Sequence, residues 1–167
     1  FDWKKGFDVL IPAFAEIVKE EPRAHLIIAG EGDNYKPKIQ EYIKKENNLE
    51  IGKNIFFAGM LTGKDKVAAF KEAKVFVSPS YSENFGMSVI EAAASGTPVV
   101  ITKEVGVSPY IKNSGAGVVV DKNNSTDIKN AVLDVLRDKN NMQVMGKRGR
   151  EMVRKEFAPD KIAEKFI

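Results

Sequence analysis

Carboxylates and lysines have to carry whatever chemistry this chain does. Its 167 residues include no cysteine and a single histidine, which excludes thiolate nucleophiles, disulfide frameworks and multi-histidine metal centres. That histidine, His25, lies in the apolar run Ala24 to Ile28 and reads as a buried, structural strand residue. The glutamates with the most suggestive setting are Glu83 and Glu91, eight positions apart. Glu83 falls in a polar loop, Ser78-Pro-Ser-Tyr-Ser-Glu-Asn-Phe-Gly86, and Glu91 in the following stretch, between Ile90 and three alanines. A carboxylate among small apolar residues needs a partner. Helix physics alone favours a plainer reading, with Glu91 facing solvent and Glu83 a favourable charge near a helix start. The loop nevertheless feeds a helix N-terminus, whose free N–H groups suit a phosphate, and Gly86 would let such a ligand approach the backbone closely. A second glycine turn, Gly30-Glu31-Gly32-Asp33-Asn34, fits a phosphate cradle and a tight strand-to-helix turn equally well.

The elements that must hold these groups show in the hydrophobic spacing. Apolar bursts of about four to eight residues alternate with longer stretches of helical period, the pattern of βαβ units around a parallel sheet. Helices are predicted over 7–20, 35–45, 64–73, 86–95, 125–138 and 142–156, and strands over 25–29, 55–58, 75–77, 99–101 and 117–120. The expected fold class is α/β, a Rossmann-like parallel sheet flanked by helices, with 1–167 forming one domain. Loop 78–86 would then lie at the C-terminal edge of the sheet, where open α/β folds bind ligands. A doubly wound sheet opens with a strand, whereas this chain opens with a polar turn at 2–6 directly before a helix. The leading strand is therefore expected upstream of Phe1 or from another chain.

Composition narrows the partners. A net charge of +3 is too slight to imply nucleic acid, which needs a concentrated stripe of cations. No apolar run approaches the roughly 18 residues that span a bilayer, and residues 1–6 resemble neither a signal nor a transit peptide, so the expected location is cytoplasmic. Lys147, Arg148, Arg150, Arg154 and Lys155 make the last helix basic; the set reads first as a solvated face and second as a surface for anionic lipid headgroups, a peripheral membrane contact. Trp3 reads as an aromatic covering the core edge, and Tyr81 and Phe85 as walls of a pocket around Glu83 or packing beneath its loop.

The block from Ser78 to Val100, with its two glutamates separated by Asn-Phe-Gly-Met-Ser-Val-Ile, resembles the signature of retaining glycosyltransferases of the GT-B architecture, family 4. Lys5-Gly6-Phe7-Asp8-Val9-Leu10-Ile11 is similar to that family's Lys-Gly element, Gly30-Glu-Gly32 to its glycine turn, Phe56-Phe-Ala-Gly59 to its middle strand and Pro98-Val-Val to its post-helix strand. The resemblance covers essentially the whole chain and only the C-terminal, nucleotide-sugar-binding half of such enzymes. It implies a donor domain that binds a nucleotide-diphosphate sugar such as a UDP-sugar, with no cofactor and no metal. An acceptor sugar or lipid-linked acceptor would be held by a domain preceding Phe1.

The resemblance also implies roles. Glu91 would accept hydrogen bonds from the ribose hydroxyls, and Glu83 would face the donor sugar. Phe85, Gly86 and Met87 would present N–H groups to the sugar and diphosphate, Gly30 and Gly32 would line the donor site, and Lys5 would neutralise the diphosphate as charge develops on it. Two features depart from the family. Its usual arginine upstream of the lysine would fall before Phe1, and the common Gly-Gly pair followed by Glu is here Gly106-Val107-Ser108-Pro109-Tyr110. A non-catalytic nucleotide-binding module and a GT-B-like nucleotide-sugar epimerase are the alternative readings.

Overall fold

The computed structural model describes residues 1–32, 34–121 and 124–158; Asp33 of the second glycine turn lies outside them. After a short 3-10 turn at Trp3–Lys5 the chain runs α1 (Phe7–Glu20), β1 (Leu26–Ala29), α2 (Lys36–Lys44), β2 (Ile55–Gly59), α3 (Gly63–Glu72), β3 (Phe76–Ser78) and α4 (Met87–Ser95). It continues through β4 (Val99–Thr102), α5 (Ser108–Ser114), β5 (Gly117–Val120), α6 (Ser125–Arg137) and α7 (Lys139–Glu156). Every strand pairing is parallel, and helices flank the strands, the architecture that the hydrophobic spacing predicts.

The strands form two pieces, β1–β2 and β3–β4–β5, rather than one continuous sheet. Parallel neighbours need a crossover between them, and no described strand runs ahead of α1 to pair with β1 on its side away from β2. The helices bridge the division: Ile11, Phe14 and Ile17 of α1, Ile39 of α2 and Ile128, Val132 and Val135 of α6 share one cluster with Ile28 of β1 and Val100 of β4. A second cluster joins Val89, Ala92 and Ala93 of α4 to Val99 and Ile101 of β4 and Ile111 of α5. β4 thus sends alternate side chains into two cores and is buried along its whole length, as an apolar parallel strand covered on both faces must be. Each large aliphatic side chain so buried contributes about 1.5–3 kcal/mol.

β1 corrects the expectation of a buried strand carrying a buried histidine. Only Ile28 is buried; Ile27 is 54% exposed, and His25 sits exposed just ahead of the strand, its ring 5.8 Å from that of Phe56. One face of β1 meets the α1–α2 core and the other does not, so the apolar run alternates in burial although not in composition. α5 adds a helix that the spacing does not announce. Pro109 falls in its first turn, where proline is tolerated, and Gly115, at φ +66°, closes it. Asp138 accepts from the N–H of Asn141 and so starts α7 three residues earlier than predicted.

Candidate functional site

Lys5 and Glu83, 78 positions apart in sequence, form an ion pair. The chain builds the pair in steps. Asp2 accepts from the Lys4 N–H at 2.9 Å and caps the 3-10 turn. The Lys4 carbonyl then accepts from the Tyr81 N–H at 2.7 Å, tying that turn to the loop after β3. Gly6 takes φ +69° and lies so close to Pro79 that a Cβ would stand 2.0 Å from its carbonyl oxygen, which requires glycine here on both counts. Trp3, 57% exposed, lays its ring against Tyr81 at 5.9 Å, outside the core. The Tyr81 hydroxyl reaches past it to donate to Asp8 Oδ2 at 2.6 Å, a contact that ties the loop to the first turn of α1.

The loop after β4, where the Gly106–Tyr110 departure begins, is the seat of the Glu83 loop. The Glu83 N–H donates to the Glu104 carbonyl at 3.2 Å and the Gly106 N–H to the Glu83 carbonyl at 2.9 Å, one isolated parallel bridge. A Cβ on Gly106 would lie 2.0 Å from the Asn84 carbonyl oxygen, so only glycine admits this contact. Gly86, at φ +97°, rests on Val105, whose side chain a Cβ there would meet at 2.7 Å. Val105 and Val107 are fully buried beneath it. A glycine just past a strand at the sheet's C-terminal edge was the available sequence signal for this seat.

Gly86 leads into α4 without a side-chain cap, as at the starts of α1, α2, α3 and α5, so no side chain occupies the N–H groups that open the helix. Met87 opens the helix 60% exposed, while Phe85 is 41% exposed and packs its ring on Phe157 at 5.6 Å. Glu91 follows on α4, and Lys66 of α3 places its Nζ 2.6 Å from Glu91 Oε2. The approach is off the line of a hydrogen bond, which leaves Oε2 covered from solvent with no hydrogen-bond donor. Glu91 is therefore neither a free surface residue nor an isolated one. Lys66 escapes sequence reasoning because a lysine on a charged helix carries no local mark of its partner.

The structure joins Lys5 to Glu83 and carries Phe85, Gly86, Met87 and Glu91 on the same loop and helix. Gly30 and Gly32, at φ +131° and +145°, lie against Phe1, where a Cβ on Gly32 would meet the Phe1 backbone. In the basic helix, Arg150 donates to the Ser95 carbonyl at the C-terminus of α4, and Arg148 lies against Gly115 at the C-terminus of α5. Two of the five basic side chains thus serve helix ends, where cations are favoured. Among the described residues no helix is long and apolar enough to cross a membrane. A cleft of about 490 Å³ between α5 and α7 contains none of the site residues named above.

Burial pushes the Tyr81 hydroxyl up to about 12, helped by its bond to Asp8. Tyr35 is raised as well, first by burial and then by its hydroxyl contact with Tyr42 at 3.5 Å.

The model of the family described as Glycosyl transferases group 1 matches residues 1–152. Among curated relatives, an alpha-monoglucosyldiacylglycerol synthase of Streptococcus pneumoniae is 33% identical over 66% of this chain and 23% of its own length. A D-inositol 3-phosphate glycosyltransferase of Corynebacterium diphtheriae is 31% identical over 85% and 34%. The chain therefore spans about a quarter to a third of these two relatives. Among solved structures, S. aureus TarM crystallised with UDP and alpha-GlcNAc-glycerol superposes with a TM-score of 0.86 at 28% identity, covering 98% of this chain and 32% of that one. Sucrose-phosphate synthase of Thermosynechococcus elongatus does so with a TM-score of 0.84 at 29% identity, covering 99% and 41%. With the family model spanning nearly the whole chain and these structures sharing its α/β architecture, the chain belongs to the glycosyl transferases group 1 family, with the GT-B fold.

Proposed function

We propose that the chain is the donor-binding unit of a retaining glycosyltransferase of family 4, which transfers a hexose-type sugar from a nucleotide diphosphate to an acceptor hydroxyl. The observation that supports this most is the Lys5–Glu83 pair beside an uncapped helix N-terminus, with Glu91 on the same helix. In this reading the diphosphate lies at the start of α4, where Met87 and its neighbours donate backbone N–H groups and Lys5 supplies the cation. Glu91 accepts from the ribose hydroxyls, and Glu83 faces the sugar. As the acceptor oxygen bonds to the anomeric carbon, the bond from that carbon to the diphosphate breaks. The acceptor proton leaves to the diphosphate or to solvent, and the negative charge arriving on the leaving group meets Lys5 and the helix start.

The UDP of the TarM structure supports a UDP-sugar as the first donor to try. An acceptor domain outside the chain would hold a sugar or lipid-linked acceptor, and the protein would work in the cytoplasm. The test incubates the chain, alone and within its complete gene product, with labelled UDP-sugars. Transfer by the complete product and none by the chain alone is the expected result. Epimerised sugar, or nucleotide binding without turnover in the complete product, would replace this reading with one of the two alternatives.

A further inference from the structure

We infer that Lys66 is a positioning residue for Glu91: by holding one carboxylate oxygen it fixes the other toward the nucleotide ribose. The inference rests on the proposed ribose contact of Glu91 and extends it to a residue outside the glutamate signature. Lys66 lies in the first half of α3 and Glu91 in the middle of α4, two helices that pack together. α3 follows β2 and α4 follows β3, and the Lys66–Glu91 contact joins the two helices across the division between the sheets.

The two oxygens of Glu91 are not equivalent. Oε2 is covered, lacks a hydrogen-bond donor and has the Lys66 ammonium 2.6 Å away. Oε1 takes part in no hydrogen bond or ion pair with the described residues. A flexible glutamate on a helix samples several rotamers, and holding it in one costs entropy that a ligand would otherwise have to supply. The ammonium holds the carboxylate through Oε2 without consuming an in-line hydrogen bond, and so leaves acceptor capacity for two neighbouring hydroxyls. Both side chains are more than a third exposed, so the pair contributes little to stability. Its effect belongs in recognition of the ribose.

The test uses the whole chain and two probes, UDP and 2′,3′-dideoxy-UDP, which keeps the base and diphosphate and lacks the ribose hydroxyls. Calorimetric affinities are measured for the parent, Lys66→Met, Lys66→Arg and Glu91→Gln, with a melting curve for each. The expected pattern is that Lys66→Met weakens UDP about three- to tenfold, as for a loosened charge-assisted contact, and leaves the dideoxy probe within about twofold. Lys66→Arg restores most of the UDP affinity, and the melting curves stay close together. Equal loss for both probes would mean that Lys66 touches the phosphates itself and would overturn the inference. So would unchanged UDP affinity in Lys66→Met while Glu91→Gln binds weakly, which leaves the ribose reading intact. A parent that binds UDP and the dideoxy probe equally, or binds neither, removes the ribose contact of Glu91 and takes the inference with it.

Discussion

Glu83 and Glu91 sit on one loop and helix yet differ in what their loss would cost. Glu91 would touch the ribose in ground and transition states alike, so Glu91→Gln should weaken nucleotide and nucleotide-sugar binding together, by about 1–3 kcal/mol for a lost charged acceptor. Glu83 is already paired with Lys5, so Glu83→Gln frees that cation. Affinity for bare UDP should hold or rise while turnover of the complete gene product falls. Calorimetry beside turnover separates the two outcomes. A second pair of groups gives a pH signature. The native Tyr81 hydroxyl keeps its proton to about 12 against an ordinary value of 10. Between these values the unfolded chain binds fewer protons than the native one, so stability is intact below pH 10 and falls as pH rises toward 12. Urea midpoints across this window should fall less steeply in Tyr81→Phe. The two glutamates and Lys5 stood out as candidates because the segments that carry them resemble a family signature, where spacing alone favoured plain surface charges. Lys66 and Asp8 did not, since a polar side chain on a helix says nothing of the residue it meets from another element.

At the scale of elements, the structure explains which glycines the site cannot lose. Gly106 has no unusual backbone angle among those singled out by positive φ, so its requirement is steric: an added Cβ would press on the Asn84 carbonyl at 2.0 Å. Gly106→Ala should therefore lift loop 83–86 from its seat, costing about 1–3 kcal/mol of stability as overpacking does and weakening UDP binding as well. An unchanged melting temperature and UDP affinity would show that the loop does not depend on this seat. Gly146 and Gly149 play the matching part beneath the site, where α7 approaches α4 so closely that a Cβ at 146 would stand 2.2 Å from the Gly96 carbonyl oxygen. The strands and long helices were readable because their apolar spacing is set by the core they face. α5 was not, since seven residues with a proline in second place carry too little periodicity. β1 misled because composition reports that a strand is apolar but not how many of its faces are covered.

For the molecule as a whole, a nearly balanced chain, +3 over 167 residues, would have to hold the proposed diphosphate without a strong overall field. Long-range attraction at that charge is weak and screened beyond about 8 Å in physiological salt, so the anion must be met locally. The described residues contain no group of three carboxylates or histidines suited to gripping a metal ion. What faces the proposed diphosphate is Lys5, already matched with Glu83, and the start of α4, where partial positive charge gathers on free N–H groups. Binding of UDP should therefore persist in EDTA, and Lys5→Met should weaken it about tenfold, as for loss of one charge-assisted contact to phosphate. The Lys5–Glu83 pair makes that variant more informative than a simple deletion. With Lys5 gone, the Glu83 carboxylate faces the diphosphate unpaired, and part of the loss is repulsion rather than a missing attraction. The double variant Lys5→Met/Glu83→Gln should then bind UDP more tightly than Lys5→Met alone, by a larger factor than Glu83→Gln gains in the parent, a non-additivity expected for groups in direct contact. Strict additivity would separate the lysine from the glutamate, and loss of binding in EDTA reversed by Mg²⁺ would assign the charge compensation to a divalent ion instead of Lys5 and the helix start.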